Sequence, residues 1–536
     1  MNAFRRLGFS IVSSAWVITA SVGVLTTAVP LRADDNLVVK TTSGDLKGKA
    51  RPGGGAEFLG IPYAQPPVGD LRWREPVPMK PWTGARDATS FGAPCSQPDL
   101  GDWNRHDAEN GKEDCLFLNV IVPEWPVTRP LPVMFWIHGG ANEGGTASSA
   151  LYKDGTLVNH GVILVTLNYR LGIFGFLAHP ELTAESAHHA SGNYGLMDQV
   201  LALKWVHDNI ARFGGDVTNI TVFGQSAGSM DTSMLMTSPL AKNMFQKAIA
   251  ESGAAFTAPL LSLPAAEHQG STLAQQLGAP TGDNQIRYLR TLSAGDLLTA
   301  LGKLRIHARV GPDIDGWVLA EQPAAVFHAG QEAHIPLLYG TTTREFGSNQ
   351  SAAQLRALVS LEAGTFAGRA LAAYGLANGG QGTTDAKYGT AADQWAADMI
   401  FRCPATTQGI WHAAAHNPTY EYEFNHAIPG QENAVHSADL PYVFGFFPKS
   451  GNIGGNFTGV DTKLADLMET YWTNFARSGN PNGPGLPNWP QQGTSGTYVQ
   501  FQQDGSVQTA TGLRTAQCSV YREWLTAQLG ADQTAH

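Results

Sequence analysis

Charged residues are scarce in this chain, and its basic residues form no long run. Only 15% of the 536 residues are charged, and 35 Lys and Arg stand against 45 Asp and Glu, for a net charge of -10 at pH 7. A phosphate backbone would be repelled by this balance, so we expect no nucleic-acid partner. The 43% hydrophobic content is that of a globular protein and excludes a disordered or fibrous chain.

Patterns that bind metals are also lacking. The chain contains no HExxH motif and no Cys pair at zinc spacing, so we expect neither a metal nor a cofactor. Only four Cys are present. In an exported protein they would be disulfide candidates, and four Cys allow three pairings.

The first 33 residues differ from the rest of the chain. An Arg pair is followed by an apolar stretch over residues 7–31 and then by Ala33 before two Asp. This order is typical of a cleaved export signal and predicts a secreted or periplasmic protein without a membrane anchor after cleavage. A single membrane anchor is the alternative, although Ser and Thr dilute the stretch and Pro30 ends it.

The remainder of the chain shows no internal repeat and no linker long enough to mark a boundary, which predicts a single domain over residues 34–536. Two apolar runs, Leu131–Ile137 and 162–167, indicate strands buried on both faces of a parallel sheet. Residues 195–213 carry apolar side chains at helical spacing, and residues 220–223 form a third apolar run. Strand, helix and strand in succession predict an α/β fold.

The third apolar run leads into the pentapeptide GQSAG, centred on Ser226. Residues 230–236 after it suit a helix, so Ser226 stands on a strand-to-helix turn, the context of a nucleophile elbow. Such a turn is so tight that it needs small residues two positions before and after the Ser, and Gly224 and Gly228 meet that demand. We interpret Ser226 as a nucleophile, with an ordinary turn serine as the alternative.

A serine that transfers acyl groups also needs N–H donors for the oxyanion, each worth about 2.7–4 kcal/mol. The predicted strand Leu131–Ile137 ends in HGGA, where small residues let backbone N–H groups point into a cavity. Together with the N–H of Ala227, those of Gly140 and Ala141 are expected to form the oxyanion hole. The alternative is a plain glycine turn after a strand.

Longer motifs are spread along the chain from about residue 39 to residue 524, namely FLGIPYAQPPVGDLRW, EDCLFLNV, WIHGGA, NYRLGIFGFL, GNYGLMDQ, FGQSAGS, HSADLPYVFG and FARSGNPN. Together they resemble the type-B carboxylesterase and cholinesterase family of α/β-hydrolases. The resemblance implies a mostly parallel central sheet with helices on both faces and large loop insertions that form a gorge. It also implies a serine carboxylic-ester hydrolase that acts on a small-molecule ester.

The resemblance identifies the partners of Ser226. The acid matches Glu345, in YGTTTREFGS after the apolar run 335–339, and the base matches His436, in NAVHSADLPYVFG. The implied roles are that His436 takes the Ser226 proton and later protonates the leaving alcohol, while Glu345 orients the imidazole. Ser, Glu and His follow one another in the chain order of α/β-hydrolases.

The resemblance also implies the disulfide pairing. Cys95 would pair with Cys115, closing a loop of the kind that lines the gorge mouth. Cys403 would pair with Cys518 and hold the C-terminal helix.

Two departures from the family pattern concern polar residues beside the nucleophile and the oxyanion residues. Gln225, a candidate substrate-binding residue, stands where cholinesterases have a Glu that helps to hold a cationic choline, which disfavours a quaternary ammonium substrate. Trp103 lies roughly where the choline-stacking Trp would be, and we interpret it as packing in the gorge wall. Asn142 follows Ala141 where an apolar residue is usual, and it either presents a polar group to the substrate or faces water.

A third departure is a short basic segment that aligns with the family's acyl-pocket loop and contains Arg305, His307 and Arg309. Arg can bind a carboxylate through two hydrogen bonds, so these residues would favour an acyl group with free carboxylates. A solvated basic face is the alternative. With these departures the chain resembles the bacterial fumonisin esterases, which release tricarballylic acid from a long amino-polyol.

Two rival functions follow from the same motifs. The first is a broad-specificity carboxylesterase for short aliphatic or aryl esters. The second is a non-catalytic adhesion protein of the same fold, as the neuroligins are, but such proteins typically lack the nucleophile that is present here. The sequence does not indicate an oligomeric state.

Overall fold

A computed structural model describes residues 37–257, 259–304, 310–493 and 496–532. From residue 37 onward the chain forms one compact unit. The predicted export signal over residues 1–33 lies outside the described residues, and so do Arg305, His307 and Arg309.

Strands and helices alternate along the described chain. The strands are β1 (Val38–Lys40), β2 (Asp45–Lys47), β3 (Lys49–Ala50), β4 (Ala56–Pro62), β5 (Ala85–Asp87), β6 (Phe117–Val122), β7 (Leu131–Ile137), β8 (Ile163–Leu167), β9 (Gly215–Gln225), β10 (Lys247–Glu251), β11 (Leu261–Ser262), β12 (Asp313–Ile314), β13 (Leu337–Thr342), β14 (Thr419–Phe424), β15 (Thr497–Phe501) and β16 (Val507–Thr511). The α-helices are α1 (Arg105–Asn110), α2 (Ala150–Lys153), α3 (Gly172–Phe176), α4 (Pro180–Glu185), α5 (Tyr194–Asn209), α6 (Ala227–Thr237), α7 (Leu263–Gln276), α8 (Gln285–Thr291), α9 (Ala294–Lys303), α10 (Pro323–His328), α11 (Ala352–Glu362), α12 (Ala367–Ala373), α13 (Ala391–Ala397), α14 (Cys403–Ala414), α15 (Leu440–Phe444), α16 (Gly459–Ser478) and α17 (Thr515–Asp532).

The largest sheet of the described chain has 11 strands in the order β16-β15-β14-β13-β10-β9-β7-β8-β6-β4-β3. The neighbours from β15 through to β8 run parallel, and the pairs outside that block are antiparallel. The carboxyl ends of the central parallel strands therefore meet at one edge, where loops can bring side chains from distant parts of the sequence together. The predicted mostly parallel sheet is confirmed.

Both faces of the sheet are covered by helices, as the alternation along β7 (Leu131–Ile137) shows. Val133, Phe135 and Ile137 pack into one buried cluster together with residues of α5. Met134 and Trp136 pack into a second cluster with residues of α16. Because successive side chains of a strand point to opposite faces, the two clusters lie on the two sides of the sheet. This arrangement explains why the strand reads as a continuous apolar run.

The predicted elements differ from the observed ones mainly at their ends. The helix predicted over 195–213 is α5, Tyr194–Asn209, followed by a 3₁₀ turn. The run 220–223 is only the buried part of β9, Gly215–Gln225. The first half of β9 is missed because its side chains are polar and only partly buried, and it pairs with β7 across an irregularity in the register.

The structure contains the two disulfides that the resemblance implies, Cys95–Cys115 and Cys403–Cys518. The second joins the start of α14 to α17, across 115 residues of sequence. Over the described ranges, no helix is both long and apolar enough to cross a membrane.

Candidate active site

Ser226 occupies the single-residue turn between β9 and α6. Its backbone angles are φ 59° and ψ -123°, outside the regions that L residues favour. The surrounding structure holds this strained conformation, because the Ser226 N–H donates to the Glu251 carbonyl on the neighbouring strand at 2.9 Å. The hydroxyl therefore stands at the carboxyl edge of the sheet, ahead of the first turn of α6.

Two glycines permit this turn for steric reasons. An ideal Cβ on Gly224 would lie 2.4 Å from the Gly228 carbonyl oxygen, and one on Gly228 would lie 2.1 Å from the Ile137 carbonyl oxygen. Neither neighbour is a flexible side chain, so no larger residue fits without a shift of the backbone. This agrees with the size requirement expected from the sequence.

The loop after β7 lies directly against the nucleophile. An ideal Cβ on Gly139 would lie 3.0 Å from Ser226 Cβ. Gly140, Ala141 and Asn142 follow with φ of 119°, 59° and 56°, and the Gly140 carbonyl accepts hydrogen bonds from two later N–H groups. In the described part of the chain, no residue accepts a hydrogen bond from the N–H groups of Gly140, Ala141 or Ala227. These three donors are therefore not used within the described chain.

Glu345 and His436 are held together by backbone and side-chain hydrogen bonds. Glu345 Oε2 lies 2.6 Å from His436 Nδ1, and Glu345 Oε1 accepts from the Thr342 N–H at 2.8 Å. The His436 N–H in turn donates to the Glu345 carbonyl at 2.8 Å. With both of its carboxylate oxygens engaged, Glu345 fixes the imidazole with a protonated Nδ1 and an Nε2 that can accept a proton.

Gln225 contacts this imidazole directly. Its side chain is buried, and its Nε2 lies 3.2 Å from His436 Nε2. Among the described residues no hydrogen bond joins Ser226 Oγ to His436, a contact that often tightens only when substrate binds. The structure directs this amide toward the candidate base, and the predicted contact of Gln225 with substrate stays a prediction.

Aromatic side chains cover His436. The ring centroids of Phe346 and Phe401 lie 4.5 and 4.8 Å from the imidazole centroid. Phe346 is 49% exposed although it contacts the imidazole, whereas Phe401 is buried. Phe346 therefore presents an apolar surface to whatever enters beside His436.

A π-helical turn, Asp398–Arg402, supports both Glu345 and His436. Phe401 supplies the buried ring against His436, and Arg402 donates to the carbonyls of Thr342 and Thr343 at 3.0 and 2.9 Å. Arg402 is fully buried and forms an ion pair with Asp398. Such turns are frequent at functional sites because they re-aim consecutive side chains.

Two further carboxyl groups are buried behind the imidazole. Burial, with the charge of Glu345 as a second cause, raises the pKa of Asp439 to about 6. Burial and then the Asp439 charge raise the pKa of Glu251 well above its usual range. Each is hydrogen-bonded, Asp439 by the Tyr422 hydroxyl and Glu251 by the Trp472 indole N–H, at 2.8 and 2.7 Å.

Asn142 has neither of the two environments expected from the sequence. It is buried, its Nδ2 donates to Asp231 at 3.0 Å, and its Oδ1 lies 2.9 Å from the Tyr169 hydroxyl. The side chain is turned into the protein, away from both substrate and water. The reason is that Asp231 and Tyr169 offer buried partners which local sequence does not reveal.

Trp103 lies on the outer side of the oxyanion loop. Its Cη2 would be 3.2 Å from an ideal Cβ on Gly140 and 3.0 Å from one on Gly144, yet the indole is 46% exposed. The Cys95–Cys115 loop that carries Trp103 is tied to the same turn, because Gln97 exchanges two hydrogen bonds with the backbone of Gly145. Trp103 thus packs on the loop while it leaves a face open to solvent.

The described residues contain no cluster of three or more His, Cys, Asp or Glu that could hold a metal ion. Several residues at the site escaped sequence reasoning, namely Gln97, Asp231, Phe346, Phe401 and Arg402. Phe346 follows Glu345 directly, so it could have been found once Glu345 was identified. The others act through partners that are distant in sequence and carry no local signal.

Comparisons with known proteins show the family to which the chain belongs. A model of the carboxylesterase family matches residues 35–521. A fumonisin B1 esterase of Sphingopyxis macrogoltabida is 35% identical over 94% of this chain and 92% of its own length. A para-nitrobenzyl esterase of Bacillus subtilis (strain 168) is 36% identical over 84% of this chain and 92% of its own length.

The fold of the chain is likewise similar to that of solved structures. The crystal structure of a carboxylesterase from Geobacillus stearothermophilus superposes with a TM-score of 0.79 at 31% identity, covering 91% of this chain and all of the other. Both kinds of similarity extend over nearly the full described chain.

Proposed function

The chain belongs to the carboxylesterase family and is a carboxylic-ester hydrolase with the α/β-hydrolase fold, and from this premise we propose that it acts through an acyl-enzyme on Ser226. His436 is the general base and Glu345 orients it. The N–H groups of Gly140, Ala141 and Ala227 form the oxyanion hole.

In the first half of the reaction, Ser226 Oγ forms a bond to the ester carbonyl carbon while its proton passes to His436 Nε2. The carbonyl oxygen becomes an oxyanion that the three N–H groups stabilise. The bond to the leaving alcohol then breaks, and His436 returns the proton to that alcohol. Water repeats these steps on the acyl-enzyme and releases the acid.

One arrangement of groups gives this assignment its strongest support. The His436–Glu345 pair, at 2.6 Å, contacts Gln225, which directly precedes a serine in a strained turn, and the N–H groups of Gly140, Ala141 and Ala227 have no acceptor in the described chain. Base, orienting acid, nucleophile and oxyanion donors are the complete set that acyl transfer requires.

Replacement of the nucleophile tests the mechanism. Ser226→Ala should lower kcat on p-nitrophenyl acetate by about 10⁶-fold, because covalent catalysis is lost while the fold is kept. Ser229→Ala is the matched control, since Ser229 is a buried serine of the same helix whose hydroxyl donates to the Gly253 carbonyl at 2.7 Å. Loss of activity in Ser229→Ala and not in Ser226→Ala would overturn the assignment.

For the substrate we propose an ester whose acyl group carries free carboxylates, as in the tricarballyl esters of fumonisins. The similar fumonisin B1 esterase supports this proposal, because its name states that substrate and it matches 94% of this chain. Arg305, His307 and Arg309, in the segment that aligns with the acyl-pocket loop, would bind those carboxylates.

Steady-state kinetics on two esters test the substrate. Arg305→Ala and Arg309→Ala should lower kcat/KM for a tricarballyl ester by about 10-fold or more each and leave a butyryl ester unchanged, because a lost charged hydrogen bond is worth about 1.5–3 kcal/mol. Lys242→Ala, at an exposed lysine, is the control. Equal losses on both esters would contradict a carboxylate-binding role.

The second candidate function is a broad carboxylesterase for short aliphatic or aryl esters. It is favoured by the surface that the described residues present at the site, because the exposed side chains against His436 and the oxyanion loop are Phe346 and Trp103. A screen that pairs neutral with polycarboxylic esters, read by released acid, separates the two. Preference for the neutral esters would establish this second candidate.

Export of the protein is part of the proposal. Cleavage after Ala33 would leave a single catalytic domain over residues 34–536, in a compartment where the two disulfides form. Mass spectrometry of the protein recovered from the periplasm or medium should find a new N-terminus near residue 34. An intact N-terminus on a membrane-bound protein would contradict this prediction and favour an anchor.

A further inference from the structure

A buried side-chain network lies behind the oxyanion loop and reaches the helix that follows the nucleophile. Its centre is Asp231, whose Oδ1 accepts from Asn142 Nδ2 at 3.0 Å and whose Oδ2 accepts from Gln199 Nε2 at 2.6 Å. Asp231 and Gln199 are both fully buried. The network therefore connects the loop after β7, α6 and α5.

The carboxyl group of Asp231 has no cationic partner in the described part of the chain, where amides alone bond to it. Burial raises its pKa to about 7. Burial of a carboxyl group that has no ion-pair partner costs free energy. The network therefore supplies hydrogen bonds of fixed geometry and no ion pair.

The network ends at groups that fix the loop on its other side. The Tyr169 hydroxyl lies 2.9 Å from Asn142 Oδ1 and 2.9 Å from the His138 carbonyl oxygen, and the Asn142 carbonyl accepts from the Gly172 N–H at 2.6 Å. Asn142 is thus held by its amide nitrogen, its amide oxygen and its backbone. These contacts hold Ala141 and Asn142 at positive φ, a conformation that Asn adopts readily but that is strained for Ala.

The positions of Asn142 and Asp231 in the chain relate them to the oxyanion donors. Asn142 directly follows Ala141, and Asp231 stands one helical turn after Ala227 on α6. The proposed oxyanion hole draws its donors from these two separate segments. The Asn142–Asp231 hydrogen bond is a direct side-chain link between them.

We propose that Asn142 and Asp231 are positioning residues of the oxyanion hole, whose mutual hydrogen bond sets the N–H groups of Gly140 and Ala141 relative to that of Ala227. This inference rests on the proposed function, because it needs the acyl-enzyme mechanism at Ser226. A misplaced donor weakens binding of the developing oxyanion and leaves binding of the neutral ester unchanged, so the effect falls on kcat.

The experiment exchanges the two side chains. Asn142→Asp alone sets two carboxylates against each other in a buried site and should lower kcat on p-nitrophenyl acetate by about 100-fold, with KM within about twofold. In the double variant Asn142→Asp/Asp231→Asn, the new Asn donates to the new Asp and accepts from Gln199, while the Tyr169 hydroxyl donates to the new Asp. Every hydrogen bond and the net charge are kept, and kcat should return to within about threefold of the wild type.

All rates are expressed per active site, by titration of Ser226 with a fluorophosphonate that releases one fluoride per serine phosphonylated. A trifluoromethyl ketone, to which Ser226 adds to form a hemiketal oxyanion, should lose affinity in parallel with kcat. A merely structural role would reduce the number of active sites or the melting temperature and leave both quantities per site unchanged.

Tyr169→Phe gives a milder test if the Asp variants fold poorly. It removes one hydroxyl from the network and should lower kcat about threefold to tenfold with KM unchanged. Wild-type kcat per site in Tyr169→Phe or in Asn142→Asp would overturn the inference, and so would a folded double variant that shows no recovery. A wild-type protein inactive on every ester would instead refute the proposed function itself.

Discussion

The two halves of the candidate site are built by different means. On the nucleophile side, the turn of Ser226 and its contact with Gly139 are set by backbone sterics, since the glycines at 139, 224 and 228 meet neighbouring atoms at distances that exclude a side chain. On the base side, Glu345 and His436 are placed by side chains of another segment, the π-helical turn Asp398–Arg402. The nucleophile side therefore tolerates no added side-chain atom, whereas the base side depends on buried side-chain partners.

The difference predicts whether a substitution in each half lowers the reaction rate or the stability. A larger residue on the nucleophile side displaces backbone and should reduce the reaction rate, whereas the loss of a partner on the base side leaves a buried charge and should reduce stability first. Four substitutions test this contrast.

Replacement of Arg402 should have the largest effect. Arg402→Met removes one of the two arginines that pair with the buried Asp398, the other being Arg514, and frees the carbonyls of Thr342 and Thr343, so the free energy of unfolding should fall by about 3–5 kcal/mol in urea titrations. Arg369→Met is the control, because its ion pair with Glu523 is exposed, and it should show no measurable change. Equal stability of the two variants would show that the base side does not depend on Arg402.

Gly228→Ala should have the next largest effect, on rate. The added Cβ would lie 2.1 Å from the Ile137 carbonyl oxygen, at the root of the oxyanion loop, and kcat on p-nitrophenyl acetate should fall by about 100-fold. Gly302→Ala, in α9 with no atom within 4 Å, is the matched control and should keep wild-type activity. Wild-type kcat in Gly228→Ala would refute the steric account of the nucleophile side.

Gln225→Glu tests the contact between the two halves. A carboxylate 3.2 Å from His436 Nε2 would favour the protonated imidazole, which cannot accept the Ser226 proton. The acid limb of kcat/KM against pH should therefore move to higher pH by about one unit. The exposed change Gln491→Glu should leave the profile in place, and an unmoved limb in Gln225→Glu would mean that residue 225 does not contact the base in solution.

Phe346→Ala should have the smallest effect. It removes the exposed ring from His436 and leaves the buried ring of Phe401, so kcat/KM for an aryl ester should fall by at most about tenfold with an unchanged melting temperature. Leu361→Ala, at a side chain that is 80% exposed, is the control. A large loss of stability in Phe346→Ala would show that this ring stabilises the fold and does not serve as a surface for the substrate.

Much of the fold and part of the site were predictable from the sequence, for identifiable reasons. The strand β7 was predicted at its observed bounds because a run buried on both faces needs no alternation to be recognised. The first half of β9 was missed because its polar residues are only partly buried. The predicted pairing of Cys403 with Cys518 came from the family resemblance, since spacing alone leaves three pairings.

The sequence could not predict the directions of the polar side chains at the site. Asn142 was expected to face substrate or water, but it bonds to Asp231, 89 residues away along the chain. The amide of Gln225 lies against His436, which is 211 residues away along the chain. Such contacts depend on which buried donors and acceptors packing brings within reach, and no local pattern records them.

The sequence by itself determined the features that depend on local sterics. A tight turn around Ser226 requires small neighbours wherever it occurs, so GQSAG after a buried strand was enough to locate the candidate nucleophile. Only the tertiary structure decided what supports the other half, because Arg402 and Phe401 act on residues that are distant in sequence. Excluded volume is a property of neighbouring residues, whereas a buried hydrogen bond needs two groups that only the completed fold brings together.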